Sequence, residues 1–102
     1  MSFSAPVKKD RRSKNLVSRL VPGDIALLDH EDIDRVTADM LVQCEVSYVI
    51  NASQSISGKY PNVGPKVLLD KGLVIIDNVG EEIFDQVEDG DILVIEEGQI
   101  FK

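Results

Sequence analysis

Four short apolar runs, each closed by acidic or glycine-bearing turns and separated by segments with helical spacing, constrain this chain more than any other feature. Asp24-Ile25-Ala26-Leu27-Leu28-Asp29 follows the Pro22-Gly23 turn and reads as a buried strand. Ser47-Tyr48-Val49-Ile50-Asn51-Ala52 is β-branched and aromatic, Leu73 to Val79 is a third run, and Ile92-Leu93-Val94-Ile95 is a fourth. Glu97-Gly98 then predicts a hairpin turn into Gln99-Ile100-Phe101-Lys102. Between the runs, Ile33, Val36, Met40, Leu41 and Cys44 share one helical face behind a cap at Asp32. Gly64-Pro65 starts a second helix that Gly72 ends, and Gly80 to Val87 forms a third. Strands alternating with helices predict one small α/β domain whose central mixed or parallel sheet is flanked by short helices.

With 102 residues, 43% of them hydrophobic, there is room for one core and not two. Cys44 is the single cysteine and His30 the single histidine, so neither an internal disulfide nor a structural zinc site can be assembled. No metal and no cofactor is expected. Neither a signal peptide nor a run of roughly 20 apolar residues is present, which predicts a cytoplasmic chain without direct membrane insertion.

Charge is unevenly distributed within a net of −7. Residues 1–20 hold six basic side chains against Asp10 alone, whereas five basic residues face seventeen acidic ones from residue 21 onward. The body should therefore repel nucleic acid and anionic surfaces. Residues 1–15 read as a basic flexible arm before a domain over 16–102. That arm either docks phosphates or, more simply, is a solvated terminus neutralising its own domain; it lacks the interleaved aromatics that would stack on bases. Because the sequence stops on strand-like Ile100-Phe101, it also reads as the N-terminal part of a longer protein.

Two polar clusters are candidates for chemistry. The loop from Ser53 to Gly64 concentrates Ser53, Ser55, Ser57, Gly58, Lys59, Tyr60, Asn62 and Gly64 before a helix start, where unpaired N–H groups and Lys59 can hold an anion. Its structural alternative is an ordered connector with Asn62 as a cap and Tyr60 at the core edge. The second cluster, Asp29, His30, Asp32, Asp34 and Arg35, follows the first strand, at the sheet end where ligands of open α/β domains bind. Only a spaced subset can converge, so helix capping and an Asp34–Arg35 surface pair are the simpler reading. Neither phosphate-binding glycine pattern occurs, nor does a nucleophile elbow, and Cys44 reads as a core residue. No catalytic residue is assigned.

Arg12-Ser13-Lys14-Asn15-Leu16, Leu20-Val21-Pro22-Gly23-Asp24-Ile25-Ala26, Asp29-His30-Glu31-Asp32-Ile33-Asp34-Arg35 and the stretch from Ser55 to Pro65 together resemble the amino-terminal domain of SteA-like bacterial proteins. The likeness runs from about Arg11 to the end. In that family the domain precedes a thiamin-pyrophosphokinase-like domain and a membrane-associated end, and actinobacterial members act in cytokinesis and cell separation. The resemblance implies a non-catalytic interaction or ligand-binding module, with other domains of a parent protein and cell-division proteins as partners and a small anion as a possible ligand. The parent would then sit at the membrane of the division site. The layout is also similar to the swivelling β/β/α domain of phosphoenolpyruvate-utilising enzymes, with Ser57-Gly58 through Gly64-Pro65 as its loop and Leu68 to Val74 following. That family's phosphorylated histidine falls where this sequence has Tyr60, Pro61 and Asn62, so the alternative implied is a phosphate- or nucleotide-binding or phosphotransfer domain without that histidine.

Overall fold

The computed structural model describes residues 2–55 and 64–102. Ten elements follow one another along the chain: β1 Ser2–Lys9, α1 Ser13–Val17, β2 Ile25–Leu28, α2 Arg35–Gln43, β3 Tyr48–Asn51, α3 Gly64–Asp70, β4 Val74–Ile76, α4 Ile83–Gln86, β5 Ile92–Glu96 and β6 Gln99–Phe101. The six strands make one mixed sheet in the order β4-β3-β2-β1-β5-β6. β1 to β4 run parallel, as the intervening helices require, and β5 and β6 are antiparallel. The α/β class and the four expected apolar strands are therefore present, and the sheet is mixed.

The expectation of a flexible arm over residues 1–15 is corrected by β1. This strand lies inside the sheet, pairing antiparallel with β5 from Ser2↔Glu96 to Pro6↔Ile92 and parallel with β2 from Val7↔Ile25 to Lys9↔Leu27. Ala5 and Val7 are buried and Ser4 and Pro6 exposed, the alternation of a strand that keeps one side in the core. Pro6 sits where the strand changes partner, a place where a missing N–H removes little from the ladder. The cations that suggested a solvated arm mostly anchor the strand. Lys8 donates to Asp24 at 2.6 Å, and Lys9 donates through Nζ to the Phe84 carbonyl.

β2 is buried along its whole length because it has cores on both sides. Ile25 and Leu27 point into a cluster with Ala5, Val7, Ile50, Phe84, Leu93 and Ile95. Ala26 and Leu28 point into the other, beneath Leu16 of α1, Ala38 and Leu41 of α2, and Leu68 of α3. Leu93 and Ile95 of β5 join the same cluster as Ile50 of β3, on the face that Phe84 of α4 covers. The ring centroids of Phe3 on β1 and Tyr48 on β3, both packed against that cluster, are 4.9 Å apart.

Two local details differ from the sequence reading of α2. Asp32 adopts a left-handed conformation (φ 55°) and Asp34 is the N-cap, its carboxylate accepting from the Thr37 N–H at 2.8 Å. The later start turns Thr37, Ala38 and Leu41 into the core and leaves Val36 66% exposed. The expected turn chemistry holds at Glu97 (φ 51°) and Gly98 (φ 79°), which join β5 to β6, and at Gly72 (φ 81°), which ends α3.

Candidate site at the carboxyl edge of the parallel strands

β2, β3 and β4 end side by side, and the residues just beyond them are Asp29-His30, Asn51 to Ser53, and Asp77. Asn51 is the last residue of β3, fully buried and paired with Leu28 in the ladder. Its side-chain amide carries the ladder one residue further. Oδ1 accepts from the His30 N–H at 3.1 Å, and Nδ2 donates to the His30 carbonyl at 2.9 Å. Oδ1 also accepts from the Ser53 N–H at 3.1 Å, while Nδ2 donates to Ser55 Oγ at 2.8 Å. All four capacities of the amide are used, as burial demands.

The network continues outward on both sides. Ser55 Oγ donates to Asp77 Oδ1 at 2.7 Å, and the Ser55 N–H reaches the same carboxylate at 3.0 Å. Ser53 Oγ donates to Asp29, whose other oxygen accepts from Arg11 at 3.1 Å. The Arg11 guanidinium also lies 3.5 Å from Glu81 and stacks 4.5 Å above the Phe84 ring. Backbone bonds from Asp32 to the Gln54 carbonyl (2.9 Å) and from Ile33 to that of Ser55 (3.2 Å) zip the two loops together.

The structure thus joins parts of both sequence clusters in one edge: Asp29 and His30 from one, Ser53 and Ser55 from the other. Asp34 and Arg35 serve α2 instead. Asp34 caps α2, and Arg35 pairs with Asp39 at 3.8 Å instead of with Asp34. The hydrogen bonds from Thr37 hold the Asp34 carboxyl below the usual carboxylate range, outweighing burial and aided by the nearby His30. Gly64 has a packing role, because a Cβ there would lie 2.1 Å from the Ile33 carbonyl oxygen where α3 meets the approach to α2. Ser57, Gly58, Lys59, Tyr60 and Asn62 lie outside the described residues.

Asp77 escaped the sequence reading as a site residue, and Asn51 was read there as the end of the second strand, leading into the polar loop. Both are polar residues closing an apolar strand, which was the available signal. Among the described residues no three metal-binding side chains converge, and no helix is long and apolar enough to cross a membrane. Cys44 is half-buried with Sγ toward the Val17 carbonyl at 3.5 Å, and burial pushes its thiol up.

Fold and edge together define a small α/β domain with a mixed sheet and a hydrogen-bonded polar rim at the ends of its parallel strands. No protein family, curated protein or solved structure matches the chain.

Proposed function

We propose that this chain is a non-catalytic interaction or ligand-binding module of a bacterial cell-division protein, presenting the loops beyond β2, β3 and β4 to other domains or to a cell-division partner. The observation that carries the non-catalytic part is the Asn51 network. Ser53 and Ser55 donate to carboxylates, and Asn51 holds the backbone of His30, so these groups position loops instead of attacking a substrate. The cell-division part rests on the resemblance of the motifs between Arg11 and Pro65 to SteA-like proteins.

A fluorescent fusion of the chain, expressed in an actinobacterium, is expected to gather at division septa and to leave them when Asn51 is replaced by Ala. Diffuse fluorescence from a folded parent fusion would sink the cell-division reading. Turnover of a nucleotide or phosphorylated metabolite by the purified chain would sink the non-catalytic one.

A second reading, phosphate or nucleotide binding by the Ser53–Gly64 loop, draws its support from position: both described ends of that loop, Ser53–Ser55 and Gly64, stand at the sheet edge where α/β domains receive ligands. Thermal-shift titrations with nucleotides and inorganic phosphate are expected to show stabilisation that Lys59→Ala abolishes; equal stabilisation of parent and variant argues against the loop.

A further inference from the structure

Seven of the ten described Lys and Arg side chains are paired within the molecule. Apart from Arg12, Lys14 and Lys71, every described Lys or Arg has a carboxylate within 4.0 Å. Two of these three, Arg12 and Lys14, border the same open cleft of about 550 Å³ between the β1–α1 connection and α2. Both are exposed, and from residue 21 onward the chain is strongly acidic, so this cleft is an unusual place for an anion to find cations not already paired.

The remaining walls give the cleft two characters. His30 stands at one side with Nδ1 2.9 Å from Ser13 Oγ, and its Nε2 has no hydrogen-bond partner among the described residues. No buried side-chain polar atom there lacks a partner, so Nε2 is accessible. Val36 and Met40, one turn apart on α2, supply an apolar floor, and Val36 is 66% exposed although it is β-branched and hydrophobic. The neighbouring carboxylates are engaged elsewhere, Asp29 by Ser53 and Arg11, and Asp34 by the Thr37 N–H.

We propose that this cleft binds a small organic oxyanion, a phosphomonoester or carboxylate with a compact apolar body. The head lies between the Arg12 guanidinium, the Lys14 ammonium and the His30 ring. The body lies on Val36 and Met40. Arg supplies the planar fork that matches either head group, and the volume is that of a small-molecule site. The residues named for this site are none of those named for the Ser53–Gly64 loop, and the proposal does not depend on a role in cell division.

The test is an amide chemical-shift titration of the isotope-labelled full chain with phenyl phosphate, benzoate, inorganic phosphate and phenol. Phenyl phosphate or benzoate is expected to shift Arg12, Ser13, His30 and Met40 and to bind about tenfold tighter than inorganic phosphate or phenol. Whichever of the two binds tighter identifies the head group. Replacing both Arg12 and Lys14 by Ala should weaken that binding by about tenfold or more with no change in Tm, since both side chains are exposed and unpaired. Met40→Gln should erase the preference for phenyl phosphate over inorganic phosphate, and Lys59→Ala should change nothing. The proposal is overturned by absence of saturable shifts up to about 10 mM, by full binding in the double variant, or by shifts confined to the Ser53–Gly64 loop that Lys59→Ala removes.

Discussion

Asn51 is the residue on which most of the polar rim depends, and replacing it tests that dependence directly. Asn51→Ala removes the amide that bonds the Ser53 and His30 backbone groups and Ser55 Oγ, the last of which keeps Asp77, and is expected to cost about 2–3 kcal/mol in chemical denaturation. A loss below about 0.5 kcal/mol would mean that water substitutes for the amide. Lys8→Ala should be comparably severe, about 3 kcal/mol, because it strands the 2%-exposed carboxylate of Asp24 without its cation. Asp34 gives a pH signature. Its carboxyl is lower in the folded chain than in the unfolded one, so its contribution is present above about pH 4 and is lost as the pH falls through the folded value. Asp34→Ala should remove about 1 kcal/mol at neutral pH and flatten the stability loss below about pH 4; an unchanged acid limb in urea melts refutes this.

Among the elements, the sequence disclosed β2 to β6 and the second, third and fourth helices through their apolar runs and turn residues, and hid β1. Phe3, Ala5 and Val7 alternate correctly, but only three apolar side chains beside Pro6 and four nearby cations look like a terminus. Only the tertiary pairing with β5, more than eighty residues away, shows why those positions are buried. The site was partly legible for a similar reason. Position after a strand pointed to Asp29 and His30, whereas the convergence of Asn51, Ser55 and Asp77 depends on which strands become neighbours. Val7→Asp is expected to unfold the domain, since Val7 is fully buried in the core shared by both arms of the sheet. Native-like circular dichroism and a cooperative melt from that variant would contradict the central placement of β1.

At the scale of the whole molecule, β1 is the single strand that belongs to both the parallel and the antiparallel parts of the sheet. Completion of β1 therefore waits for Ile92–Glu96, a partner more than eighty residues further along the chain. Until then Phe3, Ala5, Ile25 and Leu27 have only half a roof, and the outer ladder of β1 is an open edge. β1 and β5 thus act as a clasp: the core closes only once Ile92–Glu96 has been made and has found the strand it pairs with.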